Sequence, residues 1–143
     1  MKHLFTSKMR QQLAASRAIA TVTVRNIEDA KPLADALLAG GINAVEITMR
    51  TPVALQVMEI IAENYSEMLV MAGTVLTPIQ VRQVQDAGAT CAVAPGMNTR
   101  VLQAAIEAQL PFAPGIATPS EIEQALEFDC DILKFFPAES MGG

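Results

Sequence analysis

Histidine is almost absent from this sequence, and much common enzyme chemistry goes with it. The single one is His3, at the very start of the sequence, so neither a histidine-built metal site nor a Ser-His or Cys-His nucleophile is expected inside the domain. Tryptophan is missing and aromatics make up only 4% of the chain, which suits an α/β protein packed with Ala, Val, Ile and Leu rather than a β-sandwich. Two cysteines, Cys91 and Cys130, make no disulfide framework and no metal site. Both lie in apolar, strand-like stretches, where cysteine behaves as a small buried hydrophobe. No apolar run approaches the ~20 residues needed to cross a bilayer. A net charge of −5 argues against nucleic acid or an anionic membrane as partner. No metal and no cofactor is expected, and the cytoplasm is the expected location.

Acids are also missing from the first 27 residues, Glu28 being the first. A basic start of this kind is shared with transit peptides; a polar helix near Ser7 to Ser16 leading into the first strand explains it and is the reading adopted. At 143 residues the chain has the length of one domain with a real core.

Lysine is scarce too. There are four, Lys2, Lys8, Lys31 and Lys134, and the last stands between Leu133 and Phe135-Phe136. The stretch Asp131 to Glu139 reads as a short, fully buried strand with one amine in it. A lysine is almost never buried unless it is paired or used. Burial disfavours the charged form of an amine, so such a lysine can act as a nucleophile. The plainer reading is a lysine that reaches from a strand edge to water.

The remaining chain alternates strands and helices. Ala18–Val24 is a β-branched run, followed by Asn26 as a helix N-cap, a helical face of Ala30, Leu33, Ala34 and Leu37, and a stop at Gly40-Gly41. Ala44–Arg50 is the second strand, with Val45, Ile47 and Met49 on one face and Glu46, Thr48 and Arg50 on the other. Thr-Pro pairs at Thr51-Pro52, Thr77-Pro78 and Thr118-Pro119 open helices as N-cap and N1, the latter two with capping-box partners Gln80 and Glu121. Further strands are read at Met68–Ala72, Cys91–Ala94 and Leu110–Ala113, and the sixth carries Lys134. Asn98 caps the helix between the fourth and fifth. Six strands alternating with helices specify a parallel sheet with right-handed crossovers.

A doubly wound sheet would be expected to carry a G-x-G-x-x-G turn after its first strand, and none is present. Polar or special residues stand instead at strand C-termini: Arg50, Thr74, Pro95-Gly96 and Gly115. A polar face on the second strand also fits a barrel interior. A (β/α)8 barrel is therefore the expected fold, although such barrels usually need about 200–250 residues.

At these residues the sequence resembles the 2-keto-3-deoxy-6-phosphogluconate (KDPG) / 4-hydroxy-2-oxoglutarate aldolase family. The matching pieces are Ala39-Gly40-Gly41, Glu46-Ile47-Thr48-Met49-Arg50-Thr51, Ala72-Gly73-Thr74-Val75-Leu76, Pro95-Gly96, Pro114-Gly115-Ile116 and Lys134-Phe135-Phe136-Pro137-Ala138-Glu139. The resemblance implies a (β/α)8 barrel, here with its first six βα units only and truncated after the sixth strand, assembled as a homotrimer. It implies a Schiff base on Lys134, acid/base work by Glu46, substrate-carboxylate contacts from Arg50 and Thr74, and pocket walls from Pro95 and Phe136. The implied reaction is class I cleavage of KDPG to pyruvate and glyceraldehyde 3-phosphate, as in the Entner-Doudoroff pathway, or of 4-hydroxy-2-oxoglutarate to pyruvate and glyoxylate. The implied partner is a small 2-keto acid. Apolar surroundings, with Arg50 nearby, would favour the neutral amine.

Two departures from the family pattern stand out. Ala20-Thr21-Val22 replaces a stretch that commonly carries proline, a change expected to alter pocket shape without touching an assigned catalytic role. No residue can be assigned to the family's phosphate site. Other readings are a related 2-keto-3-deoxy-6-phosphogalactonate aldolase, or an inactive barrel fragment that needs a partner chain. Residue by residue, Glu46 and Arg50 could form a structural ion pair, Thr74 could simply start a turn, and Pro95 could be purely structural.

Overall fold

The computed structural model describes residues 5–143, so Lys2 and His3 lie outside the described residues. The chain runs α1 (Ser7–Ser16), β1 (Ala20–Val22), α2 (Ala30–Ala39), β2 (Ala44–Thr48), α3 (Ala54–Asn64), β3 (Leu69–Gly73), α4 (Pro78–Asp86), β4 (Cys91–Val93), α5 (Thr99–Glu107), β5 (Phe112–Ala113), β6 (Gly115–Ile116), α6 (Pro119–Glu127) and β7 (Lys134–Phe135). Strands β1 to β5 form one parallel sheet in sequence order, and β6 and β7 a second parallel pair. It is an α/β fold built on parallel strands. No closed barrel is formed by the described residues.

Local chemistry accounts for most element boundaries. Thr77 and Thr118 form complete capping boxes with Gln80 and Glu121, each followed by proline in the first turn. Asn98 accepts from the backbone N–H groups of Arg100 and Val101. The Thr118 turn donates three hydrogen bonds to the Glu121 carboxylate and holds its pKa below the ordinary value, chiefly through the Ala117 N–H.

Two caps read from the sequence are used differently. Asn26 makes no cap; it precedes a 3-10 turn at Ile27–Asp29, and α2 starts only at Ala30. Thr51 does not cap α3, because its hydroxyl donates instead to the Val24 carbonyl at 2.7 Å, tying the segment after β2 to the one after β1. The expected fifth strand, Leu110–Ala113, is shortened to β5, which joins the main sheet, and an unexpected strand, β6, follows beyond Pro114 and pairs with β7. Proline has no N–H to offer a ladder, which suits it to the break.

The sheet has two packed faces. Against the helices lies the larger core, including Val45, Ile47, Val57, Ile61, Val70 and Val84. Each such side chain, fully buried, contributes about 1.5–3 kcal/mol. On the other face Phe5 and Met9 pack onto Ala44, Leu69, Met71 and Cys91, so α1 covers the sheet near the starts of its strands. Arg10 on α1 pairs with Asp131, which fastens the helix to the segment leading into β7. No helix among the described residues is long and apolar enough to cross a membrane.

Candidate active site

Glu46 is the key to the inner face. It stands at the middle of β2, only 5% exposed, and with Thr48 is one of two buried polar side chains among the described residues. A buried carboxylate must be paired and hydrogen-bonded. Lys134, 88 residues further on, supplies the pairing: its Nζ donates to Oε1 at 2.9 Å and to Oε2 at 3.0 Å. Thr21 Oγ1, across the β1–β2 ladder, donates to Oε2 at 3.3 Å. From β3 comes Gly73. A Cβ on Gly73 would lie 2.7 Å from Glu46 Cγ and 2.8 Å from Cδ and would overlap Oε1, so glycine is what leaves room for the carboxylate.

Lys134 is held by the second sheet. It is in register with Gly115, and its backbone N–H donates to the Pro114 carbonyl at 2.9 Å. Its Nζ lies 5.4 Å from the centre of the Phe136 ring, within cation–π range. The fully buried strand read from the sequence is corrected here. β7 is two residues long, Lys134 is half-buried, and Phe135 and Phe136 are 42% and 37% exposed. The reason is that β7 pairs along one edge only, with β6. The amine has the Glu46 carboxylate for company, where the sequence suggested apolar neighbours with Arg50 nearby.

Arg50 is exposed in the turn that follows β2, and it forms no ion pair with a described residue. The structural Glu46–Arg50 pair is therefore not made, since Glu46 is already taken by Lys134. Thr74 follows Gly73 directly and is half-buried, with φ at +58°. That is an unusual conformation for a β-branched residue, of the kind that persists where the surroundings enforce it. Pro95 is half-buried with its backbone pressed onto Gly115; a Cβ there would overlap the Pro95 carbonyl and come within 2.6 Å of the Gly96 nitrogen. This close approach fixes the loop after β4 beside the strand that pairs with Lys134. No hydrogen bond or ion pair joins Arg50 or Thr74 to the Lys134–Glu46 pair among the described residues.

A cavity of about 520 Å³ runs along the inner face, lined by Thr21, Glu46, Met71, Val93, Ile132 and Lys134 among others. Arg50, Thr74, Pro95 and Phe136 do not line it; the first three stand beyond the C-terminal ends of β2, β3 and β4. The pair thus lines the cavity, and the polar and special residues stand beyond the ends of the strands. Cys91 is no competing nucleophile. Burial, with the Glu46 charge adding to it, pushes its thiol up to about 12, so it stays protonated at neutral pH.

Thr21 and Gly73 are what reading the sequence missed. Gly73 was visible only as part of a motif, and Thr21 as a change outside the catalytic set. The signal that finds them is cross-strand register: Thr21 pairs with Glu46, and Gly73 with Thr48.

An amine and a carboxylate in contact on the inner face of a parallel βα sheet define a protein whose site can support carbonyl chemistry through a lysine. The chain belongs to the KDPG and KHG aldolase family, whose model matches residues 9–143. It is 47% identical over 133 residues to the 2-dehydro-3-deoxy-phosphogluconate aldolase of Treponema pallidum, covering 93% of this chain and 63% of that one. It is 40% identical over 131 residues to the KHG/KDPG aldolase of Escherichia coli K12, covering 92% and 62%. Among solved structures it is similar to the KDPG aldolase of Legionella pneumophila, with a TM-score of 0.88 and 42% identity over 92% of this chain and 64% of the other. That protein holds pyruvate captured at low pH as a covalent carbinolamine intermediate. The chain spans a little under two thirds of the length of the two curated relatives.

Proposed function

We propose that the whole protein is a class I aldolase that cleaves KDPG to pyruvate and glyceraldehyde 3-phosphate, or 4-hydroxy-2-oxoglutarate to pyruvate and glyoxylate, through a Schiff base on Lys134. The observation that carries this reading is the direct contact of Lys134 Nζ with both oxygens of a buried Glu46. The family, and the pyruvate adduct of the Legionella relative, agree with it.

The amine must be neutral to attack, and Glu46, at hydrogen-bond distance, can take its proton. Lys134 then adds to the C2 ketone, and the proton Glu46 took leaves with the carbinolamine hydroxyl as water, giving the protonated imine and freeing the carboxylate. In the protonated imine, the electrons of the C3–C4 bond flow toward nitrogen as that bond breaks, leaving an enamine. Glu46 accepts the C4 hydroxyl proton as the aldehyde departs and later returns a proton to C3 of the enamine. Hydrolysis releases pyruvate and restores the lysine. Arg50, exposed and without an ion-pair partner among the described residues, has the planar fork that suits a carboxylate, with Thr74 as a second donor. Phe136 forms the wall beside the amine, and Pro95 shapes the rim. The inner face on which the pair stands is, in this reading, the lumen of a (β/α)8 barrel of which these residues supply the first six units. The assembly proposed is a homotrimer, and the location the cytoplasm.

The test is pyruvate release from KDPG by the whole protein, followed through NADH oxidation by added lactate dehydrogenase. The expected turnover is about 1–10³ per second, as for ordinary enzymes. No pyruvate above the enzyme-free rate from either KDPG or 4-hydroxy-2-oxoglutarate would overturn the reading.

A further inference from the structure

We propose that Thr21 is a positioning residue for Glu46, holding the carboxylate in place during the stage when Lys134 is bonded to substrate. The inference deepens, and rests on, the aldolase reading above. At rest Glu46 is fixed twice over: Lys134 spans both oxygens, and Thr21 holds Oε2 at 3.3 Å. A free ammonium has three donors to spend. Once the nitrogen is bonded to C2 of substrate, a protonated imine keeps one N–H and a neutral imine none. Glu46 must nonetheless stay aligned, because its proton transfers to and from C4–OH and C3 come after that point. Of the two donors to the carboxylate, only the Thr21 hydroxyl is untouched by the chemistry.

The surroundings fit that task. Thr21 and Glu46 are register partners in parallel strands, so the hydroxyl approaches from the side while Gly73 closes the opposite side with backbone. Two residues along the same faces, Thr23 and Thr48 hydroxyls lie 2.8 Å apart, and Thr48 also donates to the Val22 carbonyl at 3.2 Å. This second polar rung locks the β1–β2 spacing, and the Thr51 bond to Val24 extends it. Thr21 lines the same cavity as Glu46 and Lys134, so its hydroxyl faces the reacting space. The stretch Ala20-Thr21-Val22, which departs from the family pattern, thereby acquires a role in the site.

Thr21→Val in the whole protein tests this, because valine keeps the shape and the β-branching and deletes only the hydroxyl. The expected result is a kcat about three- to tenfold lower with KM little changed, the loss of a hydrogen bond to a charged group that acts after binding. Exchange of pyruvate methyl protons with D2O, which reports proton transfer at C3 alone, should fall by a similar factor. Borohydride trapping of pyruvate on Lys134 should fall much less, because the amine gives up its proton while Lys134 itself still holds Glu46. Thr21→Ser should restore kcat and exchange. Wild-type kcat and exchange in Thr21→Val would overturn the proposal, as would a serine variant as slow as the valine one, which would reduce Thr21 to methyl packing. A loss confined to KM, or a matching loss in trapping, would equally overturn it by moving the effect to binding or to Lys134. Absence of trapping in the wild-type protein would overturn the aldolase reading together with this one, whereas normal trapping with an unaffected Thr21→Val would overturn this one alone.

Discussion

Replacing Lys134 by alanine in the whole protein is expected to lower the cleavage rate by at least ~10³-fold, because no other lysine among the described residues lines the cavity. Of the other lysines, Lys8 is on α1 and Lys31 on α2, and neither lines the cavity. Cys91, the nearest alternative nucleophile by type, is held protonated by burial. Alanine also strips the partner from a buried carboxylate, which costs about 1–3 kcal/mol of stability, tempered by the partial exposure of the amine. Lys134→Arg separates the two effects. Arginine can still pair with Glu46 but cannot serve as a nucleophile, so it should recover stability and none of the activity. Arginine activity above about a tenth of wild type would show that the pair is structural. The measurement is the pyruvate-release rate of both variants beside their thermal midpoints.

The second large effect is expected at Gly73. Its backbone forms one wall for Glu46, and a methyl group there would meet Cγ and Cδ at 2.7 and 2.8 Å. Glu46 lines the cavity, but turning into it would break its hydrogen bonds with Lys134 and Thr21. Gly73→Ala should therefore displace the carboxylate by a sizeable fraction of an ångström and lower kcat about 100-fold. Overpacking adds a stability cost of about 1–3 kcal/mol. Because Lys134 is on a different strand pair, imine formation should suffer much less than turnover. Comparing kcat with the rate of pyruvate trapping checks this; a kcat within about twofold of wild type, smaller than one lost hydrogen bond, would show that the wall is not needed.

How much of this could be read from the chain alone differs by feature, and the reason is physical. The capping boxes at Thr77 and Thr118 were legible because a cap is a contract among neighbours in sequence, as was the close of α2 at Gly40. Thr51 carried the same Thr-Pro signature and misled, since its hydroxyl went to Val24, 27 residues away, a partner no local window contains. The alternation in β2 did expose Glu46 and Thr48 as polar residues on one face. Which cation would meet Glu46 was not legible: Arg50, four residues on, was the near candidate, but it lies beyond the strand end, and the partner is Lys134. The break between β5 and β6 was hidden for a similar reason. Pro114 reads as a turn, and only pairing with β7 makes Gly115–Ile116 a strand. Thr21 and Gly73 entered the site through register, which is fixed by the assembled sheet.

Everything in this account converges on one bond, between the Lys134 nitrogen and C2 of a 2-keto acid. Intact-mass spectrometry of the whole protein after incubation with pyruvate and borohydride, followed by peptide mapping, reads that bond directly. The account predicts a single reduced pyruvate adduct, mapped to Lys134 and absent from Lys134→Arg. An unmodified protein, or an adduct carried by another lysine while Lys134 stays free, would contradict it.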